Sequence, residues 1–351
     1  MPDIEWKQLT LLAEEASAPG SGPGAIPDVR WQLVSQTLQE LIEAKAWTEV
    51  IRLRQLFSSL FARDTAWGMS ELRELDDAAI SAARKVADLP TLAHLLGARG
   101  HNLHREGRHR EAIEAFSEAS AISTIQGHAF EAIKSHFMTA LCHRALGHLQ
   151  IARSIVEQVL AQVSADNPWR GQPVQVMAWL VQDAGDLPKA EKLHREALQL
   201  HHLIPDSDIL IAGTLADLAE VVGFQNRRDE AATIFQQSLH TLASHSGQYD
   251  RIEARTRLKY AEFLQRQAEY LSALTELDMA DDLISRYGHY YDLLWRIELT
   301  RAVIFLKQKN FRASWRKIRS ALRYRRQLGL SSVMLLRQLV NRALAGTGLP
   351  R

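Results

Sequence analysis

Cysteine is nearly absent: the chain of 351 residues has one, Cys142. A lone thiol closes no internal disulfide, so the fold is not covalently stapled, and a reducing compartment is expected. Proline is sparse, and none occurs between Pro205 and Pro350, which leaves that stretch open to helices. No apolar run approaches the length that spans a bilayer. The N-terminus lacks a basic start followed by an apolar core, so it does not read as a secretory signal. A soluble, cytoplasmic protein without a membrane role is the expectation. Catalytic signatures are also missing. The sequence has no GxxxxGK or GxGxxG loop to cradle phosphates and no GxSxG elbow. Asp76–Asp77 and Asp281–Asp282 are chain neighbours whose side chains diverge around a helix, so neither pair makes an acid and a base. Cys142 falls on a core position of a helix. No enzyme and no cofactor are expected.

What the chain does have is a returning phrase. A turn residue is followed five positions later by a small residue, then by a mostly apolar one and another small one. Gly107, Ala112, Phe116 and Ala119 form the clearest copy. Gly147, Ala152, Val156, Val159 and Gly185, Ala190, His194, Ala197 follow. Asn226, Ala231, Phe235, Ser238, then Ala268, Ala273, Leu277, Ala280, then Lys309, Ser314, Ile318, Ala321 complete the series. Successive turn residues stand 40, 38, 41, 42 and 41 apart. A period of that size marks a stack of supersecondary units. Each phrase joins two antiparallel helices through a tight turn. The expected architecture is all-α: a right-handed α-solenoid of about seven helical hairpins.

Around this array the sequence divides into five parts. Residues 1–16 read as a short amphipathic helix with Ile4, Leu11 and Leu12 near one face. Residues 17–29 are a Pro/Gly linker, which makes that helix either a mobile segment or a cap folded back on the stack. Residues 30–90 form divergent helical repeats, with a pair near 31–45 and 48–62 and a further helix near 70–88. Leu38, Leu41, Val50 and Ile51 point inward there. Val50 to Ala112 is too long for one period, so one helix is inserted or one pair is degenerate. Residues 91–330 are the regular repeats, with Asp186 and Pro188 starting a helix and Pro168, Pro173 and Pro205 in loops between repeats. Residues 331–351 are a capping helix and tail.

The pattern resembles the tetratricopeptide repeat (TPR) superfamily. Gly100, Leu103, Gly107, Ala112, Phe116 and Ala119 fall at the family's signature offsets. The repeats of about 40 residues resemble the long variant found in kinesin light chains and in the sensor halves of bacterial signalling ATPases and transcription activators. The resemblance implies a protein-binding scaffold, adaptor or sensor subunit that holds a protein or peptide partner in a concave groove lined by first helices. By the family's offsets, the groove positions are His94, His101, His104 and Arg105, then Lys134, Phe137, Leu141 and Arg144. Gln172, Gln175, Trp179 and Gln182 come next, then Glu220 and Phe224, then Arg255, Glu262, Gln265 and Arg266. Arginine and lysine there would hold carboxylates, aromatics would anchor apolar side chains, and amides would suit a peptide backbone. A merely solvated face remains the alternative. A regulatory subunit of a signalling ATPase or protease system is a further possibility.

Two other groupings invite attention. His94, His101 and His104, and again His136 and His143, recur at helical spacing. Without a Cys pair, an HExxH motif or a nearby acid, no metal site is expected of them, and they read as a pH-sensitive or simply polar groove wall. The charge is also split. Residues 296–351 hold 14 of the 42 Lys and Arg but only one of the 41 acids, Glu298, so the net of +1 hides an acidic body and a basic end. Arg312, Arg316, Arg319, Arg323 and Arg326 are spaced 4, 3, 4 and 3, which places them on one stripe of one helix. Trp315, Ile318 and Leu322 are expected on the opposing buried side, with Lys317 and Arg325 widening the band. Such a stripe suits an acidic protein, nucleic-acid phosphates or the acidic body of a second copy in a homo-oligomer. No aromatic residue is expected within it, and a solvated face is again the alternative.

Overall fold

The structure, a computed structural model, describes residues 4–17, 28–58, 70–244, 250–285 and 290–327. Among them every regular element is helical. The order begins α1 (Trp6–Ser17), α2 (Asp28–Glu43), α3 (Trp47–Leu56), α4 (Ser70–Lys85), α5 (Leu89–Arg105), α6 (His109–Ile125), α7 (Ala129–Ala145) and α8 (Leu149–Gln162). A 3₁₀ turn (Pro168–Arg170) precedes α9 (Gly171–Asp183), α10 (Leu187–His201), α11 (Asp208–Phe224) and α12 (Arg228–Ala243). The last four are α13 (Asp250–Arg266), α14 (Tyr270–Ser285), α15 (Tyr291–Lys307) and α16 (Phe311–Gln327). Among the described residues, α4 lies between the first pair and the regular repeats. Of the expected linker at 17–29, position 17 ends α1 and 28–29 begin α2, while 18–27 and the terminal capping helix at 331–351 lie outside the described residues. The chain packs as two compact units, Met1–Ile155 and Val156–Arg351.

All eighteen inward positions of the six phrases are buried. Their small members let helices approach closely, and Ser238 and Ser314 also donate their hydroxyls to the carbonyls of Ala212 and Ala302. Each phrase's turn residue has positive φ, from 62° at Lys309 to 89° at Gly185. That left-handed residue ends the helix in a Schellman motif. Arg108 N donates to Leu103 O and Gly107 N to His104 O, and Arg227 and Asn226 repeat the bonds to Val222 and Gly223. Gly127 makes the same turn between α6 and α7, as do Lys45 and Ala87 earlier in the chain. A Cβ costs energy in this conformation, so its recurrence at Lys45, Ala87, Asn226, Ala268 and Lys309 shows how firmly packing dictates the turn.

In the first unit, Trp31, Leu41, Leu53, Phe57 and Leu75 form the centre of the core. The first helix is folded back: Leu9, Leu12 and Ala13 join that core, and the Arg52 guanidinium sits 4.3 Å from the Trp6 ring. Leu11 corrects the expected apolar face, being 50% exposed. The buried stripe of α1 runs through 9, 12 and 13, and position 11 points away from it. Arg54 and Asp76 make a buried ion pair at 2.8 Å, while neighbouring Asp77 turns outward to Arg99.

In the second unit, Leu218, Phe235, Leu258, Phe263, Leu277 and Ile297 are central. The Asp186 carboxylate caps α10 by accepting from Lys189 N, with Pro188 in the first turn. Pro173 is not in a loop as expected. It lies in the first turn of α9, where its missing N–H leaves no intrahelical bond unmade.

Candidate functional site

The first helices of the second unit, α9, α11, α13 and α15, carry a polar row centred on Asp217. This carboxylate is only 1% exposed. Gln175 Nε2 and Trp179 Nε1 from α9 donate to Oδ2 at 2.7 and 2.9 Å. Lys259 Nζ from α13 donates to Oδ1 at 2.7 Å. Burial pushes the Asp217 carboxyl upward, but the Lys259 ammonium, followed by the Arg255 guanidinium 3.9 Å away, overcomes it and holds the group well below the usual carboxylate range. Three helices are thus fastened by one side chain whose hydrogen-bonding capacity is largely filled, the condition under which a buried charge is tolerated.

The row continues on both sides. Lys259 also donates to Glu220 Oε2 at 2.5 Å. Glu262, buried on α13, accepts from Arg296 Nη2 of α15 at 3.0 Å, with Thr300 alongside. Burial works against the Arg296 charge, yet Glu262 and Glu220 raise its pKa on balance. Arg266 stacks its guanidinium 4.4 Å from the centroid of the exposed Phe224 ring. Trp179, Gln182, Arg255, Arg266 and Arg296 are half-buried, so the row has a buried carboxylate base and an accessible rim rich in cations, amides and aromatics.

The expected groove positions therefore separate. Gln175 and Glu262 are buried members of the network, and Glu220 is bound into it through Lys259. Trp179, Gln182, Arg255 and Arg266 are partly accessible. Asp217, Lys259 and Arg296 belong to the same row but escape the offsets used on the sequence. A signal for them exists: Gln175, Asp217 and Lys259 stand 42 residues apart in succession, one period each.

In the first unit, His94 is exposed and His101, also exposed, meets the Phe116 ring edge-on at 5.1 Å. Arg105 and Arg144 are half-buried. Lys134 pairs with Glu131 of its own helix at 2.6 Å. Phe137, expected as an accessible anchor, is 3% exposed, turned inward with Ala140 one turn on. His104 faces Cys142, with 3.4 Å between Nδ1 and Sγ. Burial pushes the Cys142 thiol up to about 12.

On α16 all five stripe arginines are exposed, and none is in an ion pair among the described residues. Ile318 is buried as expected, while Trp315 and Arg325 depart from the expected face. Trp315 is 58% exposed, and Phe311 is exposed beside it one turn earlier. Arg325, by contrast, is 2% exposed and lies 4.8 Å from the centre of the Trp295 ring. Lys317 donates to Glu298 at 2.9 Å. The buried arc of α16 is Ala313, Ser314, Ile318, Ala321 and Arg325, so the arginine stripe has aromatics on one shoulder.

No helix among the described residues is long and apolar enough to cross a membrane. No family model matches the chain, and no curated protein matches it. Solved structures do. NprR in complex with its cognate peptide NprX is similar at a TM-score of 0.60 and 18% identity, over 88% of this chain and 93% of that one. The Rap conjugation gene regulator of plasmid pLS20, in complex with the Phr* peptide, is similar at 0.59 and 15%, over 86% and 79%. A tetratricopeptide repeat protein from Parabacteroides merdae is similar at 0.50 and 15%, over 86% and 99%. These are likenesses of fold, and the chain has an all-α, TPR-like fold of stacked helical hairpins.

Proposed function

We propose that the protein is a non-catalytic recognition module that captures a peptide segment of a partner along α9, α11 and α13. The observation that carries this reading is the Asp217 network. It fixes Trp179 and Lys259 in place while Arg255, Arg266 and Gln182 stay accessible around it. Arg255 touches Asp217 only loosely at 3.9 Å, so its guanidinium is placed to donate to a carboxylate of a ligand. Trp179 and Phe224 offer flat apolar surfaces, and Gln182 offers both a donor and an acceptor to a peptide backbone. An extended segment with an acidic group fits that chemistry. NprR and the pLS20 Rap regulator, crystallised with peptides, lend fold-level support, which is weaker than support from a site. The buried single thiol fits a cytoplasmic setting.

The test is retention of a partner from native lysate at low and high salt with nuclease present. A protein kept at high salt and lost on Trp179→Ala or Arg255→Glu supports the reading. Retention indifferent to both substitutions sinks it.

A second reading attaches to α16, where five exposed arginines flank two exposed aromatics. That surface suits an acidic partner or single-stranded nucleic acid, because aromatic faces beside cations stack bases. Nuclease-sensitive, low-salt retention abolished by Arg316→Glu with Arg323→Glu would move the function there.

A further inference from the structure

We propose that His104, His109 and Cys142 form a zinc-binding site where α5, α6 and α7 meet in the first unit. One ring nitrogen of each histidine and the Cys142 Sγ lie within 4.8 Å of one another. Tetrahedral zinc binds imidazole nitrogen at about 2.0–2.1 Å and thiolate at about 2.3 Å, which spaces neighbouring ligand atoms about 3.3–3.6 Å apart. The Sγ to His104 Nδ1 distance of 3.4 Å already has that spacing. The His109 ring stands 5.0 Å from the His104 ring, centroid to centroid, and a bound ion would draw the two imidazoles together to close the triangle.

The backbone explains the convergence. His104 and His109 bracket the turn at Gly107, whose φ of 79° reverses the chain and sets the two rings side by side. Cys142 enters from α7, 38 residues beyond His104, close to one repeat period. Leu103, Ala112 and Phe116 pack around the thiol and keep its side of the site dry.

The donor set selects the ion class. One thiolate and two imidazoles, without a carboxylate, suit a borderline-soft cation and disfavour magnesium or calcium, which take oxygen ligands. On binding, the thiol passes its proton to solvent and the thiolate becomes the ligand. Three protein ligands leave a fourth position, reached from the half-buried histidine side, for water or for a side chain of a bound partner. The site lies apart from the Asp217 row and does not depend on the peptide reading.

The test uses the full-length chain stripped of metal and titrated with zinc against a chromophoric chelator, with cobalt as a spectroscopic probe. The expected result is one ion per chain. Cobalt gives tetrahedral d–d bands and a thiolate charge-transfer band, and the latter is lost in Cys142→Ala. Cys142→Ala and His109→Gln each weaken zinc binding by about 100-fold, while helix content by circular dichroism is kept. Should Cys142→Ala fail to fold, His109→Gln decides alone, since it lies at a half-buried helix start. His143 and His148, whose Nδ1 atoms are 3.4 Å apart, are the neighbouring control. Zinc binding that is absent, non-stoichiometric, or lost only with His143→Gln and His148→Gln overturns the proposal. Copper(I) binding without zinc binding overturns the choice of ion.

Discussion

Arg54 and Asp76 sit in the first core, each 3% exposed and joined at 2.8 Å. Desolvation dominates both groups: it lowers the arginine's pKa and raises the carboxyl's, against their mutual attraction. Asp76→Ala is expected to cost about 3–5 kcal/mol, because it removes the carboxylate that balances a buried cation. Replacing both partners, Arg54→Met with Asp76→Leu, should recover most of that loss, which urea denaturation of the three variants reads directly. His201 is the second residue with a measurable signature. Burial, with the charge of His202 adding to it, lowers its pKa to about 4, and its Nδ1 lies 3.0 Å from Thr214 Oγ1. The unfolded chain takes up a proton below about pH 6.5 that the folded chain refuses. Stability is therefore full above that pH and declines as pH falls towards 4. A pH series of melting temperatures should show the decline, and His201→Gln should make it shallower. Neither residue was legible beforehand. His201 looks like one polar position among many, and Asp76 was read only beside Asp77. What separates such residues is burial, which depends on helices far away in the sequence.

At the scale of single helices, two glycines of α5 make opposite predictions. A Cβ at Gly100 would stand 2.7 Å from Phe116 Cε1, whereas one at Gly97 meets nothing within 4 Å. Gly97→Ala should stabilise by about 0.5–1 kcal/mol through helix propensity. Gly100→Ala should destabilise by about 1–3 kcal/mol, as the ring is pushed out of place. Equilibrium unfolding of both variants gives the comparison. The turns make a third test. Ala268 has a φ of 64°, so Ala268→Gly should gain about 1 kcal/mol. The repeat phrase made these hairpins readable because its small and apolar positions survive where the glycine does not. Lys45 and Ala87 adopt the same turn yet were not read as copies, since neither residue type announces a left-handed backbone. On α16 the five arginines of the stripe are all exposed, but Trp315 and Arg325 exchanged roles. Ordinary hydrophobicity ranks put tryptophan inside, whereas here Trp295 supplies a ring for Arg325 to lie against.

For the molecule as a whole, the split of charge is a statement about association. The five stripe arginines make no ion pair among the described residues, so Arg316→Glu with Arg323→Glu should leave the melting temperature nearly unchanged. The same variant should lose low-salt association, read by comparing partner retention across a salt series. This asymmetry was visible in the sequence as a count, whereas the centre of the polar row, Asp217 with Lys259, was not. Its members come from separate repeats and meet only when helices stack, although their 42-residue spacing carried the hint. The single thiol has one more use. Cys142 is fully shielded, so an alkylating reagent reaches it only when the surrounding helices part. The labelling rate then acts as a clock for that breathing motion, with the reagent's intrinsic rate as its calibration. A bound zinc ion should slow the clock, and with one cysteine in the chain every label reports the same opening.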